Sequence, residues 1–155
     1  MNNLLIKPIH KDAIIPFYAH SNDAGLDLFT IEDTTIEPMR ATAIRTGLQI
    51  ALPKGTEGQI RPRSGNSLNG VNCYLPYEEI ECKMYIQVVL GTVDENFRGE
   101  IKIITFNPYD TPVTVPKGTK LAQMVINKVE RPNIEIVEEL DETDRGNNGF
   151  GSTGA

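Results

Sequence analysis

The chain has 155 residues, enough for one domain with its own core, and its apolar (39%), charged (23%), Gly and Pro contents are those of an ordinary globular protein rather than a disordered or fibrous one. Its formal net charge of −6 argues against a general nucleic-acid binder, so an anionic ligand would have to be met by a local cluster of cations or through a metal ion. No apolar run approaches the roughly 20 residues of a membrane span and the N-terminus lacks a signal-like apolar stretch, which leads us to expect a cytoplasmic protein.

Short apolar runs bounded by turn residues recur along the chain. Residues 4–7 and 26–30 read as strands, the second entered through the turn-like Ser21-Asn22-Asp23-Ala24-Gly25. Leu48, Ile50 and Leu52 alternate with Gln49 and Ala51 before the breaker Pro53-Lys54-Gly55, and Pro116-Lys117-Gly118 repeats that device. Pro-x-Gly suits a type I turn with Pro second and Gly fourth. Further strands are predicted over 56–61, 85–93, 101–107, 111–115, 121–129 and 134–137, and a turn or so of helix over 64–70. The stretch 66–84 combines Asn, Gly, Pro76 and the acidic Glu78, Glu79 and Glu81, and reads as an exposed loop. Cys73 and Cys82 within it are too far apart for a C-x-x-C motif and have no neighbouring His, so they read as reduced thiols and not as zinc ligands. Many short strands with little or no helix predict an all-β fold, a distorted jelly-roll sandwich or barrel. The barrel is expected over 1–140 and a flexible C-terminal lid over 141–155.

Three segments carry chemistry. Arg61-Pro62-Arg63-Ser64-Gly65 brings two guanidinium groups, a hydroxyl and freely oriented amides to a strand end, which is what a di- or triphosphate needs; solvated surface arginines are the plainer alternative. In Gly91-Thr92-Val93-Asp94-Glu95-Asn96-Phe97-Arg98-Gly99 the Asp94 carboxylate follows a core-type residue and is placed to act as a general base at a pocket margin, although Asp94, Glu95 and Asn96 also read as turn residues. The tail from Arg145 to Gly154 has four glycines, one aromatic and one arginine, too polar to pack by itself. Phe150 can stack on a base, Arg145 can fork onto a phosphate, and Gly151, Ser152 and Thr153 offer donors.

Five segments in order, Ala24-Gly25-Leu26-Asp27-Leu28, Pro62-Arg63-Ser64-Gly65, Gly91 to Gly99, Gly118-Thr119-Lys120-Leu121-Ala122-Gln123 and Arg145 to Gly154, closely resemble the motifs of the trimeric deoxyuridine triphosphatase (dUTPase) family. The resemblance implies an enzyme that splits dUTP into dUMP and pyrophosphate, sanitising the nucleotide pool and supplying dUMP for thymidylate synthesis. Mg²⁺ would be held by the triphosphate and not directly by the protein. Asp94 would be the base that deprotonates the attacking water. Arg63, Ser64, Gly65 and Gln123 would hold the phosphates, with Asp27 near the metal-bound waters. Main-chain groups around Val88 to Thr92 would read uracil, with Gly91, Thr92 and Val93 among the substrate-binding residues and Lys102 touching the ligand. Phe150 would stack on uracil, Arg145 would reach the γ-phosphate, and Gly151, Ser152 and Thr153 would complete the cover.

Two departures stand out. Phe97 occupies the place of a Tyr whose ring lies under deoxyribose and rejects a 2′-hydroxyl, and the segment from Gly65 to Asp94 is about a dozen residues longer than usual. The resemblance further implies a homotrimer with shared active sites, and the extra segment suggests an arm, 66–84, that packs on a neighbouring subunit or a protein partner. The rival readings are a dCTP deaminase-like enzyme, for which no acid/base residue beside the pyrimidine amine is evident, and a regulatory or binding protein on the same scaffold.

Overall fold

The computed structural model describes residues 3–77, 80–144, 146 and 147. The described residues form twelve strands and one short helix: β1 (Leu5–Pro8), β2 (Gly25–Phe29), β3 (Thr34–Ile36), β4 (Ala41–Ala51), β5 (Thr56–Pro62), α1 (Ser64–Asn69), β6 (Val71–Leu75), β7 (Ile80–Met84), β8 (Gln87–Val88), β9 (Gly91–Val93), β10 (Glu100–Phe106), β11 (Val113–Val115) and β12 (Lys120–Lys128). They pair into three four-stranded sheets, ordered β1-β4-β10-β8, β3-β11-β6-β7 and β2-β12-β5-β9. All pairings are antiparallel, and the architecture is the distorted jelly roll predicted. Among the described residues no helix is long and apolar enough to cross a membrane.

Alternation builds the core. On β10, Ile101, Ile103 and Thr105 are buried while Lys102 and Ile104 face out, the period-2 pattern of a half-buried strand. Ile44 and Leu48 on the neighbouring β4, and Ile36, Val113 and Leu121 from the other two sheets, join them. Opposite Ile101 and Lys102 the register with β4 slips, because Arg45-Thr46-Gly47 makes a bulge in which Gly47 adopts φ +68°. Glu100 holds the bulge: its carboxylate accepts Arg45 Nε–H at 3.1 Å and the Gly47 N–H at 2.9 Å. Bulges of this kind re-aim the neighbouring side chains.

Four expectations are corrected. The stretch 66–84 is not an exposed loop: it starts in α1 and continues as the β6–β7 hairpin, whose Val71 and Cys73 are only 3% and 2% exposed and pack in the core. Its acidic and Gly-containing composition masks the alternation Val71, Cys73, Leu75, which faces inward. Residues 134–137 form no strand, and Ile134 and Ile136 are each 96% exposed because none of the described residues pairs with them. The run 85–93 is broken into β8 and β9, which belong to different sheets. At Pro116 the turn closes by Thr119 N–H donating to the Pro116 carbonyl (3.3 Å), so Pro116 is first and Gly118 third with φ +76°. A positive φ at the third position defines a type II turn instead of type I. The strand β3 and the first half of β4 had no counterpart in the sequence reading.

Candidate active site

The predicted phosphate-binding residues gather where β5 ends. Pro62 closes the strand, Arg63 caps α1 in an extended conformation, and Ser64 and Gly65 form the first turn, whose N–H groups have no partner within the helix. A β-carbon on Gly65 would meet nothing within 4 Å, so the approach to this backbone is open. Central strand β12 puts Gln123 between Asp27 on β2 and Arg61 on β5. Gln123 Nε2–H donates to the Pro62 carbonyl at 3.0 Å. A β-carbon at Gly25 would fall 2.6 Å from Gln123 Oε1 and 3.1 Å from its Cβ, so the glycine makes room for this side chain.

Asp27 is the anchor of the cluster. Its carboxylate, 8% exposed, accepts Arg63 Nε–H on Oδ1 at 2.8 Å and pairs with Lys120 Nζ on Oδ2 at 2.9 Å. Lys120 also lies 5.6 Å from the ring centroids of Phe17 and Phe29, a cation–π seat that adds to its fixation. With two cations on one carboxylate, the guanidinium of Arg63 is held at a defined place and angle. Arg61 is turned the other way, its Nε–H donating to Gln59 Oε1 at 2.9 Å. Sequence reasoning missed Lys120. The signal was there, a Lys three residues before Gln123, but its partner Asp27 is distant in sequence.

A second group of predicted residues lies beside a different part of β5. Gly91, Thr92 and Val93 form β9, paired to β5 with Gly91 facing Ile60 and Val93 facing Gly58. With Asp94, Phe97 and Lys102 they line a cleft of about 260 Å³ walled by Ile60, Ile101 and Ile104. Both β9 and β8 are edge strands of their sheets, so the backbone groups along their outer edges have no ladder partner and are available to a ligand. Asp94 is exposed and starts a turn closed by Phe97 N–H donating to the Asp94 carbonyl at 3.0 Å. That turn is pinned from behind: Gly55 N–H donates to Glu95 Oε2 at 2.9 Å, and Arg98 Nη1–H donates to the carbonyls of Glu95 and Phe97 at 2.8 and 2.7 Å.

The two groups are far apart within one chain. Asp94 lies one residue beyond the Val93–Gly58 pair, and Arg63 one residue beyond the other end of β5. At about 3.3 Å per residue they are separated by about 20 Å. Arg145, Phe150, Gly151, Ser152 and Thr153 lie outside the described residues. Among the described residues no three His, Cys, Asp or Glu side chains converge to hold a metal ion. The donors at the β5 end, guanidinium, ammonium, amide and hydroxyl with one carboxylate already paired, suit phosphate oxygens and an ion that arrives with them, the usual mode for Mg²⁺.

A family model described as dUTPase matches residues 11–154. The chain belongs to the dUTPase family. It is 47% identical over 152 residues to the deoxyuridine 5′-triphosphate nucleotidohydrolase of Clostridium kluyveri, covering 97% of each chain. To the enzyme of the same name from Trichodesmium erythraeum it is 47% identical over 151 residues, covering 97% of this chain and 98% of the other. Among solved structures, the Staphylococcus bacteriophage 80alpha dUTPase with dUpNHpp superposes with a TM-score of 0.85 at 26% identity, over 100% of both chains. The match to dUTPases thus spans nearly the whole chain, not isolated motifs.

Proposed function

We propose that this dUTPase hydrolyses dUTP to dUMP and pyrophosphate at a site completed by a second copy of the chain. The observation that carries the reading is the split of the site: an apolar cleft with Asp94 at its mouth, and a phosphate-type cluster about 20 Å away measured along β5. A nucleoside triphosphate whose α-phosphorus sits beside Asp94 cannot also reach Arg63 of the same chain. A homotrimer in which one chain supplies the cleft and another the cluster resolves this, and cyclic symmetry repeats the solution three times.

In this reading uracil enters between β8 and β9 and pairs with their free edge groups. A methyl at C5 or an amine at C4 would meet backbone and apolar side chains in place of matching donors and acceptors, which rejects thymine and cytosine. The ring of Phe97 lies under deoxyribose, and Lys102 flanks the ligand. Asp94 accepts a proton from a water as its oxygen bonds to the α-phosphorus, and the bond from that phosphorus to the oxygen bridging to the β-phosphorus breaks as pyrophosphate leaves. Arg63, Ser64, Gly65 and Gln123 bind the phosphates, with Asp27 orienting Arg63. Mg²⁺ bound to the triphosphate would neutralise charge that the chain's own cations leave over. The tail, 141–155, is the lid: Phe150 covers uracil, Arg145 meets the γ-phosphate, and Gly151, Ser152 and Thr153 help exclude water.

The deaminase alternative needs a spare acid/base group in the cleft. Glu100 is the other carboxylate lining it and is already engaged by Arg45 and Gly47, which leaves Asp94 alone. A protein partner on 66–84 would be confined to the hairpin's outer side, where Tyr77 and Ile80 are exposed. Pyrophosphate release from dUTP with Mg²⁺, run beside Asp94→Asn, tests the enzyme reading. The substitution should lower kcat by about 10²- to 10⁴-fold, the usual contribution of a general base. A wild-type chain no faster than the variant refutes hydrolysis by Asp94.

A further inference from the structure

Gly99 ends the turn that carries Asp94 and Phe97. A β-carbon built on Gly99 would fall 2.5 Å from Cζ of Phe97, 2.9 Å from Cε2 and 3.3 Å from Cε1, inside van der Waals contact throughout. Gly99 is not among the glycines with positive φ, so the backbone does not demand glycine here. What demands it is space for the ring. The rest of the turn is clamped by the Phe97 N–H to Asp94 carbonyl bond, by Arg98 on two carbonyls and by Glu95 on Gly55. The backbone is therefore fixed, while the ring, 44% exposed, depends for its direction on the surface directly beneath it.

We propose that Gly99 is a positioning residue for sugar selection: by lacking a side chain it lets the Phe97 ring settle onto the turn, at the height and angle at which it excludes a 2′-hydroxyl. The inference rests on the reading of Phe97 as the ring under deoxyribose. An alanine at 99 displaces the tip of the ring by more than an ångström, and a half-exposed ring can swing into solvent to relieve the clash. The fold is then barely affected while the surface presented to the sugar is lost. A ring deep in a packed core would behave in the opposite way, resisting displacement and passing the strain to its neighbours.

The test measures kcat/KM for dUTP and for UTP, with Tm, in wild type, Gly99→Ala, Phe97→Ala and the double variant. Gly99→Ala is expected to keep Tm within about 2 °C and to lower the preference for dUTP over UTP about tenfold, the scale of a misplaced apolar contact. In the Phe97→Ala background the same change should alter the preference by less than about twofold, because residues acting through one shared ring are not additive. A wild-type preference in Gly99→Ala beside a lowered one in Phe97→Ala overturns the role of Gly99 and leaves Phe97's intact. Equal losses in both backgrounds also overturn it, since Gly99 would then act by another route. An unchanged preference in Phe97→Ala removes the reading of Phe97 and the inference with it. Should Gly99→Ala fail to fold, the wild-type chain still decides: the Gly99 Hα resonances should carry a ring-current shift that Phe97→Ala abolishes, and their absence overturns the placement.

Discussion

Asp94 lies level with the first residues of β5 and Arg63 just beyond its last, about 20 Å apart by register. Asp94 is tied through Glu95 to Gly55, and Arg63 through Asp27 to β2. A single triphosphate cannot bridge them on one chain. That separation is the reason the proposed site draws on two copies of the chain.

Asp27 is the keystone of one half-site. Asp27→Asn leaves Arg63 and Lys120 facing an amide in place of a nearly buried carboxylate. We expect a stability loss of about 1–3 kcal/mol, below that for a fully buried pair because both cations are partly solvated. KM for dUTP should rise more than kcat falls, since Arg63 is held less firmly but Asp94 is untouched. Steady-state kinetics beside thermal melts check this; a fall confined to kcat would argue against a phosphate-positioning role.

The β6–β7 hairpin is structural along its inner side. Deleting residues 73–82 removes Cys73 from the core and the Tyr74 partner of Thr114 on β11. The product should be insoluble or lack a cooperative melt. A folded, active deletion variant would mean the hairpin is a dispensable appendage.

Cys73 and Cys82 face each other across the hairpin, yet Cys73 is buried and Cys82 partly exposed. Burial, with the neighbouring Cys82 adding to it, pushes the Cys73 thiol up from 9.0 to about 12, so its thiolate is scarce at pH 8. Iodoacetamide should label the partly exposed Cys82 first, as read by peptide mass spectrometry. The same shift sets a pH dependence. The folded chain holds the Cys73 proton more tightly than the unfolded chain, so this stabilisation is complete below about pH 9 and is lost as pH rises toward about 12. Cys73→Ala should flatten that alkaline loss; an unchanged alkaline profile would assign it to other groups.

Removal of the proposed lid leaves every described strand whole, since β12 ends at Lys128 and residues 131–144 are exposed. Truncation before Arg145 should leave the assembled oligomer intact by light scattering while turnover falls about 100-fold or more, through loss of water exclusion and of a phosphate contact. Full activity in the truncated chain would remove the lid from the mechanism.

Much of this was legible in the sequence because alternation is local. Ile101, Ile103 and Thr105 announce a half-buried strand, and the structure has it. The same rule misled at Asn133-Ile134-Glu135-Ile136-Val137, since period-2 alternation gives the faces of a strand and says nothing of a pairing partner. At Val71, Cys73 and Leu75 acidic and turn residues nearby obscured a true core strand. Five ordered motifs were readable, and the candidate site residues of the first four lie within the described residues. Their division into two distant groups was not readable, because it depends on which residue of β9 faces which residue of β5, a long-range register that no local pattern encodes.

The most direct test of the composite site mixes two dead chains. Asp94→Asn and Arg63→Ala are each purified, unfolded together in equal amounts and refolded, and pyrophosphate release from dUTP is measured against each variant treated alone. If one chain supplies Asp94 and another Arg63, random assembly gives about a quarter of the sites both residues intact, and activity should return to about a quarter of wild type. Activity no greater than the sum of the two variants alone would contradict the account.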